Sequence, residues 1–161
     1  MEKEFIELLN NNRALIFKVC NLYCDDGEIR KDLFQEIVLQ LWKSFPGFKN
    51  ESAKSTWVYR VALNTSISNF RKESKKPPRH TFDVADLEIP DMPDAINDRE
   101  NISMLNSAIK NLTEIEKATI LLYLDEKTYE EISDIMGISI SNVGVRLNRI
   151  KNKLSEIIKT Y

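Results

Sequence analysis

Residues 128–153 read TYEEISDIMGISISNVGVRLNRIKNK, and their order decides how the C-terminal part of the chain folds. Thr128 followed three residues later by Glu131 is a capping box, in which hydroxyl and carboxylate each satisfy a backbone amide left open at a helix start. A short helix begins there, with Ile132, Ile135 and Met136 as its apolar side. Gly137 then permits a tight turn, and Ser139 is placed to cap a second helix. In that helix Val143, Leu147, Ile150 and Leu154 recur at offsets of four, three and four, the spacing of one buried stripe. The stretch is a helix-turn-helix.

The side left outward carries Ser141, Asn142, Val145, Arg146, Asn148, Arg149, Asn152 and Lys153, with no carboxylate until Glu156. Amide, hydroxyl and guanidinium groups donate to base edges and phosphates, and a helix about 10 Å wide enters the major groove of duplex DNA. The composition is that of a DNA-reading helix. The same pattern also suits an ordinary amphipathic helix whose basic C-terminal end complements the helix dipole.

With 161 residues the chain has room for one ordinary domain or two small ones. No apolar run approaches a membrane span, and the charged start MEKEFIELL is unlike a signal peptide, so a cytoplasmic protein with no membrane insertion is expected. Cys20 and Cys24 lie one helical turn apart without further Cys or His partners, too few ligands for a metal site, and are read as core or half-buried thiols. The net charge of −2 is unlike that of an autonomous DNA binder. Its distribution is uneven: residues 81–100 hold one basic and seven acidic side chains, while 145–161 hold Arg146, Arg149, Lys151, Lys153 and Lys159 against Glu156 alone. A weakly charged chain with local basic faces calls for a partner that holds it on DNA.

Taken in order, residues 3–24 read as a helix with Phe5, Leu8, Leu9, Ile16, Val19 and Cys20 inward, ended by Asp25, Asp26 and Gly27. The next helix, about Ile29 to Phe45, has more apolar residues than one face buries. Ile29, Leu33, Ile37 and Leu41 form one stripe, flanked by Phe34, Val38 and Phe45, and Asp32, Gln35, Leu39 and Trp42 form a second. Acid, amide, aliphatic and aromatic groups in one line have the composition of a protein interface, though Leu39 and Trp42 also fit a three-sided core. Pro46 and Gly47 break the helix, Phe48 to Ser55 form a loop, and a helix runs from about Thr56 to Lys72. Thr56, Arg60 and Asn64 form a polar line along it, with Trp57 and Tyr59 beside its start. Aromatic and amide groups near lysines suit unstacked bases; Trp57 and Tyr59 equally suit a core with polar tips.

Lys75, Lys76, Pro77 and Pro78 end helix formation, and an acidic segment with Pro90 and Pro93 follows. The expected architecture is all-α: a helical domain over 1–74, an acidic linker over 75–98 holding the sole histidine, His80, and a helix-turn-helix domain over 99–161. The second unit opens with Ile102, Leu105, Ile109 and Leu112. Thr113 and Glu116 form another capping box before Ile115, Ala118, Ile120, Leu121, Leu122 and Leu124. No phosphate loop and no nucleophile paired with a base is present, so no enzyme, no catalytic residue, no metal and no cofactor is expected.

Two stretches together resemble one family, the extracytoplasmic-function (ECF) type of the sigma-70 RNA polymerase sigma factors. DLFQEIVLQLWKSFPGF and STWVYRVALNTSISNFRK resemble sigma region 2, and LTEIEKATILLYLDEKTYEEISDIMGISISNVGVRLNRIKNKL resembles sigma region 4. The resemblance implies a promoter-specificity subunit. Region 2 would dock on the beta-prime clamp helices of core polymerase through Asp32, Gln35, Glu36, Leu39 and Trp42. The loop from Lys49 to Ser55, including Lys54, and Thr56, Trp57, Tyr59, Arg60 and Asn64 would hold the minus-ten element as single strand. Region 4 would sit on the beta flap and read the minus-thirty-five duplex, Tyr129 and Glu130 meeting backbone, and Val145, Asn148 and Arg149 facing the groove. An anti-sigma factor is a further implied partner.

Two residues depart from the family pattern. Lys54 stands where the specificity loop often has an aromatic residue, and Gly144 where many members have Lys or Arg. Two other readings fit the helices alone: an autonomous helix-turn-helix regulator with a sensing or dimerising N-terminal unit, and a helical adaptor without a DNA role.

Overall fold

The computed structural model describes residues 1–50, 53–75 and 96–160. Among these it contains helices α1 (Glu2–Tyr23), α2 (Gly27–Ser44), α3 (Lys54–Ser74), α4 (Ile96–Lys110), α5 (Glu114–Leu124), α6 (Tyr129–Met136) and α7 (Ile140–Lys159), with a 3₁₀ turn at Phe45–Gly47 and no strand. The chain divides into two compact units, Met1–Asp83 and Val84–Tyr161. The acidic linker and His80 fall almost wholly outside the described residues, as do 51 and 52 of the loop before α3.

In the first unit α1, α2 and α3 pack against one another pairwise. Phe5, Leu8, Ile16, Val19 and Cys20 of α1 meet Leu33, Ile37 and Leu41 of α2 and Val58, Tyr59, Ala62 and Leu63 of α3 in a closed apolar centre. Burying each of the large aliphatic and phenylalanine side chains here stabilises the fold by about 1.5–3 kcal/mol before the loss of conformational entropy. Asp26 ends α1 and also starts α2, its carboxylate accepting from the Glu28 and Ile29 amides. Arg30, one turn into α2, donates to the Cys24 and Asp25 carbonyls and ties the corner together. Both cysteines are free and buried, and burial first, then proximity to Cys24, pushes the Cys20 thiol up to about 12.

The second unit is built around α7, against which α4, α5 and α6 pack. Val143, Leu147, Ile150 and Leu154 are its buried stripe, meeting Ala108, Ile109, Leu112, Ala118, Ile120, Leu122, Ile132 and Ile135. Both capping boxes form, at Thr113 with Glu116 and at Thr128 with Glu131, and the Ser139 hydroxyl accepts from the Asn142 amide. Ser133 fastens the turn: its carbonyl accepts from the Gly137 and Ile138 amides while its hydroxyl donates to the Ile138 carbonyl.

Helix α4 begins at Ile96, inside the span expected to be linker. Ile102 and Leu124, among the apolar residues of the second unit, are both more than half exposed. Ile102 precedes the inward line of Ala108, Ile109 and Leu112, and Leu124 is the last residue of α5.

Gly137 has φ +69°, the left-handed region, and a Cβ there would meet nothing within 4 Å. The cost of Gly137→Ala is therefore backbone strain alone, about 1–2 kcal/mol. Amide hydrogen exchange in α6 and α7 should accelerate by about 5- to 30-fold, with Gly137→Asn intermediate; unchanged exchange would contradict the assigned turn.

Candidate nucleic-acid and partner interfaces

Helix α2 presents two chemically different sides. Leu33, Ile37 and Leu41 face the core, while Asp32, Gln35, Glu36, Leu39 and Trp42 are all exposed, Leu39 by 43% and Trp42 by 40%. The three-sided core that the spacing also allowed is not formed at Leu39. Trp42 is anchored by one edge on Phe5, ring centroids 4.9 Å apart, and Phe5 in turn meets Phe45 at 5.4 Å. The indole is thus held in place with much of its surface open, the condition of an interface anchor. Between α2 and α3 runs a polar groove of about 630 Å³ lined by Asp32, Glu36 and Gln40 on one side and Asn64, Asn69 and Lys72 on the other.

Helix α3 sorts the expected strand-binding residues by burial. Lys49, Lys54 and Asn64 are exposed, and Trp57 and Arg60 are half-buried. Trp57 stacks on Phe48 with centroids 4.7 Å apart and interplanar angle 27°, which fixes the entrance of the loop that begins at Lys49. Phe48 was not singled out by the sequence reading. Its spacing to Trp57 crosses a loop, so no periodicity reveals the stack. Two expected contacts move inward: Tyr59 is 1% exposed and Thr56 9%. The reason for Tyr59 is helical phase, since it shares a face with Ala62, Leu63 and Ser66 that is turned into the core. It packs beneath the outward side of α3.

On α7, Ser141, Asn142, Val145, Asn148 and Arg149 are exposed and Arg146 is half-buried. Their outward position follows from the buried stripe, which fixes the rotation of the helix. Tyr129 and Glu130, at the start of α6, are exposed beside them. The Tyr129 ring lies against Gly144, where a Cβ would be 3.7 Å from Cε2, an ordinary contact. Alanine would fit there, whereas a longer side chain would compete with the ring for that place. Arg146 and Arg149 border a small hollow with Ile115, Glu116 and Thr119 of α5.

Lys153, expected among the free basic groups, is instead committed to Glu116, its Nζ 3.0 Å from Oε1. Lys151 extends over the Tyr123 ring on another side of α7, 4.3 Å from the centroid. Among the described residues no group of three or more His, Cys, Asp or Glu side chains is arranged to hold a metal, and no helix is long and apolar enough to cross a membrane.

With this geometry in view, the comparisons are specific. Residues 8–76 match the Sigma-70 region 2 family and residues 102–154 match Sigma-70, region 4. The fold and faces thus define a two-region sigma-70 type protein. The ECF RNA polymerase sigma-E factor of Haemophilus influenzae is 30% identical over 172 residues, covering 98% of this chain and 90% of the relative. That of Escherichia coli K12 is 26% identical over 174 residues with the same coverage. The sigma factor RpoE of Bartonella quintana, solved with the anti-sigma factor NepR, superposes with TM-score 0.73 at 19% identity, covering 98% of both chains. CnrH, solved with the cytosolic domain of CnrY, gives 0.71 at 16% identity, covering 99% of this chain and 90% of that one. The chain belongs to the extracytoplasmic-function RNA polymerase sigma factors of the sigma-70 family.

The Glu116–Lys153 pair has a pH signature. Burial alone raises the Glu116 carboxyl, but hydrogen bonds from Lys153 and Thr113 outweigh it and hold the group below its ordinary 4.5. A carboxyl lowered in the folded state contributes stability that is complete above the unfolded value and lost as pH falls through the folded one. The Lys153 side chain is 44% exposed, so the contribution is on the exposed-pair scale of about 0.2–1 kcal/mol. Chemical denaturation should show wild type more stable than the Glu116→Gln, Lys153→Met double variant at pH 7, the gap closing below 4.5. A gap independent of pH would contradict the pairing.

Proposed function

We propose that this sigma factor directs core RNA polymerase to promoters by two DNA contacts on separate units: the first unit on the minus-ten element as single strand, the second on the minus-thirty-five element as duplex. The division follows the domain reading of 1–74, 75–98 and 99–161. The observation that carries the proposal is the exposed Leu39 and Trp42 pair on a helix whose opposite side is already filled by Leu33, Ile37 and Leu41. A soluble monomer gains nothing by leaving an anchored indole open, and a partner surface gains a hot spot.

In this reading Asp32, Gln35, Glu36, Leu39 and Trp42 dock on the beta-prime clamp helices, and the second unit rests on the beta flap. Lys49, Lys54, Trp57, Arg60 and Asn64 hold unpaired bases, Thr56 and Tyr59 setting the helix beneath them. Holding unstacked bases offsets part of the few kcal/mol that each costs to expose. Ser141, Asn142, Val145, Arg146, Asn148 and Arg149 enter the groove, with Tyr129 and Glu130 at the backbone. Each contact is weak alone. Fixing both on one polymerase makes the second effectively intramolecular, with a local concentration in the millimolar range.

The protein carries no chemistry of its own: nucleotidyl transfer belongs to the polymerase, and catalytic groups, metal and cofactor are not required. It acts in the cytoplasm. An anti-sigma factor that covers these faces is a fitting regulator, since both solved neighbours were captured with partner proteins, NepR described as an anti-sigma factor and CnrY as a cytosolic domain.

The test is binding to purified core polymerase. Leu39→Ala and Trp42→Ala should each weaken the complex about 10-fold or more, a loss of about 1.4 kcal/mol. Circular dichroism should remain that of wild type for Leu39→Ala, which touches no core face. Equal affinity of wild type and both variants would overturn the dock.

A further inference from the structure

We propose that Lys151, laid against the Tyr123 ring, is a phosphate-binding residue on the flank of the α7 reading face, a role that its neighbour Lys153 does not share. The inference rests on the reading of the second unit as a duplex binder and adds to it a residue that the sequence pattern passed over.

Geometry separates the two lysines. Lys151 follows Gly144 by seven residues, two helical turns, and so lies on the same line of α7. Tyr129 occupies that line too, its ring against Gly144. Lys151 lies over the Tyr123 ring, its Nζ 4.3 Å from the centroid. Tyr123, Tyr129 and Lys151 are all exposed, the two tyrosines at 37% and 40%. One flank of the reading helix therefore offers the Lys151 ammonium, with the exposed tyrosines of α5 and α6 on the same side of it, groups able to donate to phosphate oxygens. No acidic side chain pairs with Lys151 in the described structure; a ring face holds it and does not cancel its charge.

Lys153 lies toward α5. Its ammonium contacts both carboxylate oxygens of Glu116, at 3.0 and 3.4 Å, and Glu116 is itself fixed in the capping box of α5. The pair is neutral in sum. A phosphate approaching that edge meets a carboxylate together with the ammonium.

The experiment uses the full chain assembled with core polymerase, on a promoter fragment recovered from genomic DNA by that holoenzyme. The dependence of affinity on salt is measured for wild type, Lys151→Ala, Lys151→Arg, and the Glu116→Gln, Lys153→Met double variant, which removes a positive and a negative charge together. Loss of one phosphate contact lowers the slope of log K against log salt by about 0.9. Lys151→Ala should show that decrease, Lys151→Arg should restore the wild-type slope, and the double variant should keep it. A purely structural role for Lys151 would lower thermal stability and leave the slope alone, so a wild-type slope in Lys151→Ala overturns the inference. Failure of wild-type holoenzyme to select any fragment would instead strike the proposed function itself.

Discussion

Burial of Val143, Leu147, Ile150 and Leu154 against α4, α5 and α6 sets the rotation of α7 about its own axis. Because a helix is rigid in rotation, placing one stripe inward places every other side chain as well. Val145, Asn148 and Arg149 face outward as a consequence. Gly144 and Lys151 are turned toward Tyr129 and Tyr123, and Lys153 toward Glu116. A single apolar constraint therefore separates the outward face of α7 from two flanks of different charge.

The first unit uses burial in the opposite sense. Its α2 has enough apolar side chains to line the core and still leave Leu39 and Trp42 at the surface. Trp42 is steadied by Phe5, Phe5 also meets Phe45, and Phe45 lies 6.3 Å from Trp57, which stacks on Phe48. These aromatic contacts run from the face assigned to polymerase to the start of the helix assigned to the unpaired strand. They give both faces of the unit one common support.

Much of this was legible before any coordinates. The capping boxes at Thr113 and Thr128, the cap at Ser139 and the buried stripe of α7 are local patterns, and local patterns are what a sequence displays directly. The exposed stripe of α2 was legible as a surplus, since one helix face cannot bury so many apolar groups. What the pattern could not resolve was pairing across elements. Lys153 and Glu116 are 37 positions apart, Lys151 meets Tyr123 across α6, and Phe48 meets Trp57 across a loop. Burial at Tyr59 was ambiguous for a different reason, because a tyrosine ring suits a core as well as a base. Asp26 shows a third limit: read only as a helix stop, it is also the cap of the helix that follows.

The chain as a whole carries a net charge of −2, with acidic groups concentrated in residues 81–100 and basic ones in residues 145–161. Such a molecule holds DNA weakly by counterion release and gains occupancy from being fixed to a larger partner. The most direct test of that account is transcription by sigma-free core polymerase on a pool of genomic fragments, with and without this protein. Discrete new transcripts, preceded by two elements at constant spacing, are the predicted result. A core that is active with another sigma factor and gives no new transcript with this folded protein would contradict it.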